Sequence, residues 1–263
     1  MRQVADRSDR PGTSGRKPGE GPVLVFLGPT LPRIEAEEAL SGAVFLHPVS
    51  QGDIILAAHA FRPRAMILID GQFEDRPPVR HKEILWAMAQ GIAVIGAASM
   101  GAIRAAELYP FGMVGIGLIY RWYRRWPLAP DDAVAVQSAP AELGFLPLTD
   151  ALLDLQKSFS RWKRDKLIPT EERHRLTRIA QGMNFRERTL TAILREASLP
   201  GEVAEQLDRK MVRQKRLDAL EALQRTPFLI DAARCAKNYP WTATNTFIRD
   251  LEASGIDPPL LEY

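Results

Sequence analysis

Three short, unbroken apolar runs, each closed by a glycine or an aspartate, restrict this chain more than any other feature. They are Val23-Leu24-Val25-Phe26-Leu27 before Gly28-Pro29, Ala65-Met66-Ile67-Leu68-Ile69 before Asp70-Gly71, and Ile92-Ala93-Val94-Ile95 before Gly96. A run with no polar alternation must be covered on both faces, as a strand inside a parallel sheet is. Helical stretches at 50–60 and 78–90 lie between the runs. Strands alternating with helices predict an α/β fold, a mainly parallel sheet flanked by helices. A further strand is expected over 133–137. From about residue 145 the pattern changes: 146–164, 170–181, 186–197 and 201–224 read as helices rich in Leu, Ala, Arg and Glu, punctuated by Pro169 and Pro200. The division expected is therefore a disordered tail over 1–21, an α/β core over 22–145 and an α-helical region over 146–263. The helical region is either a separate domain or a cover on the sheet. Residues 257–263 read as an extended tail.

Composition removes several classes of function. With 46% hydrophobic and 25% charged residues among 263, the chain can bury a real core. Cys235 stands alone, so an internal disulfide and a cysteine metal cluster are both excluded. Residues 1–21 are too polar to offset the entropy of ordering, and their start lacks the apolar run of a signal peptide. No uncharged apolar stretch approaches the length of a membrane span, so a cytoplasmic protein is expected. The formal charge of +3 is too small to point to nucleic acid.

The richest segment for chemistry is Gly96-Ala97-Ala98-Ser99-Met100-Gly101, between a strand and a helix running to Leu108. A serine at a sharp strand-to-helix turn resembles a nucleophile elbow, with alanine in place of the first glycine. Backbone N–H groups near Ser99, Met100 and Gly101, at the helix N-terminus, are the candidate oxyanion donors. The same serine also suits a helix cap, and the segment alone favours that role. A base is sought on the helix at 78–90. On a helical wheel Ile84, Leu85, Trp86, Met88 and Ala89 form an apolar arc. His81 and Lys82 fall inside it, whereas Arg80, Glu83 and Gln90 fall outside or at its edge. A lysine on a core-facing stripe would have a lowered pKa and could act as a base, unless it snorkels to solvent. Asp70 sits just past a buried strand, where open α/β sheets bind ligands, although Asp70-Gly71 is equally a simple turn. Glu74, Glu83 and Glu107 are further acidic candidates.

Other signals carry less. Leu27-Gly28-Pro29-Thr30 lacks the glycines and lysine of a P-loop, and Gly112–Gly117 lacks dinucleotide spacing. His47, His59, His81 and His174 have no metal-ligand spacing, so neither metal nor other cofactor is expected. Arg121-Trp122-Tyr123-Arg124-Arg125-Trp126 interleaves charge with aromatic rings and suits a protein interface better than nucleic acid. Trp122, Arg124 and Arg125 are its candidate contacts. The basic run Arg209–Arg216 reads as a solvated helix face or, less commonly, a dock for an acidic partner.

Val25-Phe-Leu-Gly-Pro-Thr-Leu31, Ile69-Asp-Gly-Gln-Phe-Glu74, His81-Lys-Glu-Ile-Leu-Trp86, Gly96-Ala-Ala-Ser-Met-Gly-Ala-Ile-Arg-Ala-Ala-Glu107 and Phe111-Gly-Met113 together resemble the TfuA-like domain. The resemblance covers roughly half the chain. It implies a partner of a YcaO enzyme in peptide backbone thioamidation. Such a partner hydrolyses a thiocarboxylated ThiS-like sulfur carrier protein and releases sulfide through a Ser–Lys pair. Ser99 and Lys82 are the matching positions, which turns the reading of Ser99 from cap to nucleophile. His81, Asp70 and Glu74 rank second. A different class of reading is a non-catalytic adaptor that presents the precursor peptide to YcaO.

Overall fold

The computed structural model describes residues 21–72, 76–234 and 241–263; Glu74, Cys235 and all of the expected tail but Gly21 lie outside them. The first half alternates: β1 (Val23–Phe26), α1 (Arg33–Ala39), β2 (Val44–Leu46), α2 (Asp53–Phe61), β3 (Ala65–Leu68), α3 (His81–Ala89), β4 (Ala93–Ala97), α4 (Met100–Leu108), β5 (Val114–Ile116) and α5 (Gly117–Arg125). The second half holds α6 (Leu152–Arg164), α7 (Thr170–Gly182), α8 (Leu190–Glu196), α9 (Gly201–Asp208), α10 (Gln214–Arg234) and α11 (Asn245–Ala253). The strands form one parallel sheet in the order β2-β1-β3-β4-β5. This is the α/β architecture that the apolar runs predict.

Alternation along the buried strands feeds two cores. Leu24, Phe26, Met66, Leu68 and Val94 face α2, α3 and, from the far end of the chain, Phe247 and Leu251 of α11. Val25, Ile67, Ala93 and Ile95 face the other way, onto Ala36 of α1 and Ala219, Ala222 and Leu223 of α10. The C-terminal half therefore supplies a cover to both faces of the sheet. A third core joins α4 and α5 to α6–α9 around Phe159 and Trp162. Among the described residues no helix is long and apolar enough to cross a membrane.

Some expectations change. No strand forms at 133–137; residues 131–133 make a single 3₁₀ turn, and the only pairing nearby is an isolated bridge between Ser138 and Pro147. Residues 257–263 do not trail away. Pro258–Leu261 form a 3₁₀ turn, and the Trp86 indole N–H donates to the Leu261 carbonyl at 3.0 Å. The helix expected over 201–224 breaks at 209–213 and then continues through Pro227 as far as Arg234. β2 and β5 hold three residues each, too few to register as a pattern.

The order β2-β1-β3 reverses direction at β1, so the loops after β1 and β3 part and leave a crevice at their carboxyl ends. Two glycines press α4 against this edge. A Cβ on Gly101 would overlap the Leu68 carbonyl oxygen, and one on Gly96 would overlap the Gly101 carbonyl oxygen. Gly101→Ala should therefore cost about 3 kcal/mol or more of stability, the cost of overpacking against backbone. Gly182→Ala, at a helical glycine facing open space, should be neutral or stabilising by up to about 1 kcal/mol. Chemical denaturation of both variants checks the contrast; an unchanged midpoint for Gly101→Ala would show that α4 can lift from the sheet.

Candidate active site

Ser99 stands at the N-terminus of α4, on a turn the backbone adopts only under constraint. Ala98 has φ of +65°, uncommon for a residue with a side chain, and the Ser99 N–H donates back to the Ala97 carbonyl at 2.7 Å. This is a three-residue turn of the rare γ type, a conformation that surrounding packing must hold. Ser99 occupies the N-cap position, but its side chain makes no capping hydrogen bond. The Ser99 carbonyl accepts the first bonds of the helix, from Ala102 and Ile103. The hydroxyl is left to a cavity of roughly 300 Å³ that Ser99 lines together with Asp70, Gly71, Gln72, Arg186 and Lys215.

Asp70, buried at the end of β3, organises the crevice. One carboxylate oxygen accepts the N–H groups of Gly28 and Thr30, at 2.9 and 3.1 Å; the other accepts the Thr30 hydroxyl at 2.6 Å. The loop after β1 is thus bound to the end of β3 across the reversal point. Lys215 of α10 faces the same carboxylate, with 3.9 Å between its ammonium and Asp70 Oδ1. The ammonium donates to the Val134 carbonyl at 2.8 Å, and the Lys215 backbone N–H donates to Asp154 at 2.9 Å. Burial lowers the Lys215 pKa, opposed by the charges of Asp70 and Asp154. Burial raises the Asp154 carboxyl to about 6, opposed by its hydrogen bond and attraction to Lys215.

Residues 70–189 match the protein family described as TfuA-like protein. Over that stretch, less than half of the chain, the protein is similar to TfuA-like proteins. No protein of curated function matches it. Ser99 and Asp70 lie in the matched stretch, whereas Lys215 lies beyond its end.

Lys82 does not line the cavity that holds Ser99. It is half-buried on α3 and donates to the Thr242 carbonyl at 2.9 Å. The helical wheel misplaced it because α3 turns Glu83 inward. Glu83 is fully buried; its carboxyl accepts the N–H of Gly52 at 2.7 Å and of Arg80 at 3.1 Å, capping α2 and α3 together. His81 is also elsewhere, 2.8 Å from Glu107, whose second partner is Arg104 at 2.6 Å. Burial would raise the Glu107 carboxyl, but the bonds to His81 and Arg104 outweigh it and hold it below the usual range. Of the three expected oxyanion donors, Ser99 donates to Ala97 and Gly101 donates to Ile69 at 3.3 Å. Met100, the first helical residue, keeps an N–H with no intrahelical acceptor.

The basic run 209–216 is not one helix face: it spans the break between α9 and α10, with Arg209 and Lys210 exposed. Arg213 pairs with Asp150 at 2.6 Å, Arg216 with Glu35 at 2.9 Å, and Lys215 is buried. The aromatic–basic stretch lies on α5, away from the cavity. Trp122 packs half-buried against the third core, and the Arg124 guanidinium stacks 3.2 Å from the Tyr109 ring centre. Arg125 lies near the ring of Trp126, and Trp126 and Leu128 are exposed large apolar residues. Sequence reasoning missed Lys215, although the signal was present. Lys215, Ala219, Ala222, Leu223 and Thr226 fall on one helical face, continuous with the apolar stripe of α10.

Burial, opposed by its backbone hydrogen bonds, raises the Glu83 carboxyl from 4.5 to about 8. A carboxyl raised on folding contributes stability that is fully present below its unfolded pKa. That stability is lost as pH climbs through the folded value. The melting temperature should therefore fall between pH 5 and pH 8, and Glu83→Gln, which cannot ionise, should flatten that fall. Parallel slopes for the two proteins would remove Glu83 as the cause.

Proposed function

We propose that the chain is a hydrolase in which Ser99 attacks the carbonyl carbon of a protein C-terminal thiocarboxylate and Lys215 serves as the base. The observation that carries this reading is the shared cavity: a serine hydroxyl that does not cap its helix, on a strained turn, and a buried lysine whose pKa is lowered line the same space. Neutral Lys215 takes the Ser99 proton as the oxygen–carbon bond forms. The Met100 N–H and the positive end of α4 stabilise the oxyanion. The carbon–sulfur bond breaks, sulfur accepts the proton from Lys215 and leaves as hydrosulfide, and an ester to Ser99 remains. Water then cleaves the ester to an ordinary carboxylate. Asp70 holds Lys215 at the cavity and does not itself take part in the bond changes. The TfuA-like match supports the pathway context: a YcaO enzyme as recipient of the sulfide and a ThiS-like carrier as donor. Trp126 and Leu128 offer such protein partners an apolar contact at the end of α5, with Arg125 beside them.

Sulfide release from a thiocarboxylated carrier tests the assignment. Ser99→Ala should lower the rate on the order of a thousandfold or more, and Lys215→Met nearly as far. Lys215→Arg should not restore activity, because a guanidinium stays protonated. Lys82→Met should keep activity near that of the unaltered protein. Full sulfide release by folded Ser99→Ala would leave Ser99 as a structural residue and favour an adaptor role.

A further inference from the structure

A second cavity, of roughly 540 Å³, runs beside the first, within the range of about 300–1,000 Å³ typical of ligand sites. The two share Pro29, Val136, Phe145 and Lys215 as a common wall, so the second space abuts the one that holds Ser99. One side of it is the loop after β1 and the start of α1, with Leu31 and Ile34. The other is the segment Leu143–Pro147.

That segment is a defined flap. The Ala139 N–H donates to the Leu146 carbonyl at 2.8 Å, the Leu148 N–H to the Gln137 carbonyl at 2.8 Å, and the Gln137 N–H to the Thr149 hydroxyl at 2.7 Å. Its tip turns through Gly144 and Phe145, both at positive φ, and the Phe145 ring rests edge-on against His47 at 5.2 Å. These bonds hold large apolar side chains in solvent: Leu143 and Leu146 are each 60% exposed, and Ile34 across the groove is 73% exposed. Single exposed apolar residues are ordinary, but here they stand on both walls of one groove. The groove's charged residues, by contrast, are already satisfied. Arg216 pairs with Glu35, Arg213 with Asp150, and Asp154 with the Lys215 backbone N–H. An uncharged ligand leaves these pairs intact.

We infer that this groove binds an extended, uncharged, apolar peptide segment, the part of the substrate chain that precedes the end reaching Ser99. The inference rests on the hydrolase reading for the direction in which the chain runs. A peptide fits because a covalently continuous ligand must occupy two spaces meeting along the Pro29–Phe145 wall. Apolar side chains of such a segment would cover Ile34, Leu143 and Leu146 and remove them from water.

The test uses the full chain with Ser99→Ala, so that no turnover intervenes. The probe is a fluorescein-labelled Leu-Val-Ala-Leu peptide, with Glu-Ser-Ala-Glu as its charged counterpart, followed by fluorescence anisotropy. The apolar probe should bind saturably and the acidic probe much more weakly. Ile34→Ser combined with Leu146→Ser should weaken the apolar probe about tenfold or more. Both positions are exposed, so the variant should stay folded, as circular dichroism checks. Absence of saturable binding, equal binding of the two probes, or an unchanged affinity in the folded double variant would overturn the inference. Sulfide release does not enter this measurement, so failure of the Ser99 assignment and failure of the groove assignment are read separately.

Discussion

The site depends on placing one ammonium group in the protein interior. Lys215 is 4% exposed, and a buried cation is tolerable only where carbonyls and carboxylates surround it. The Val134 carbonyl, the nearby Asp70 carboxylate and the charge of Asp154 provide that surrounding from three different segments. Each of these is tied further. Asp70 holds the loop after β1, Asp154 belongs to α6, and Val134 leads into the flap that roofs both cavities. A little further along α10, Asp218 accepts the Ile119 N–H at 2.7 Å and so fixes the start of α5. One helix end thereby registers the sheet edge, the flap and the helical half against one another.

The fold was legible in the sequence where burial was complete. β1, β3 and β4 are covered on both faces, so their apolar runs have no polar interruption to confuse the reading. β2 and β5 are edge strands of three residues, half-buried over much of their length, and carry no such mark. The helix expected to end at 224 runs on through Pro227 to Arg234. Packing against the sheet and the Thr226 hydroxyl bond to the Ala222 carbonyl carry the helix past the proline.

The site was legible only in part, and the division is physical. Ser99 and Asp70 belong to strand ends, and the carboxyl edge of a parallel sheet is a place sequence can predict. Their lysine comes from a helix far along the chain, and no local pattern says which distant residue a fold brings to an edge. Lys82 satisfied every local criterion for the role. The neighbouring Glu83 is turned inward instead, because its carboxyl caps two helix N-termini at once, a requirement that exists only after α2 and α3 pack together. Periodicity describes one helix at a time; the capping of a neighbouring helix lies outside it.

The origin of Lys215 in α10 sets an order of events during synthesis. All five strands and the turn bearing Ser99 leave the ribosome well before residue 215, at the several residues per second typical of translation. Until α10 arrives, one face of the sheet is bare of its apolar cover, and Asp70 faces no ammonium. The cover of that sheet face and the lysine of the cavity are therefore supplied by the same helix. A nascent chain halted between α5 and α10 would carry the serine without the lysine, with its sheet face exposed to aggregation or chaperone capture. Completion of the cavity and covering of that sheet face become a single step.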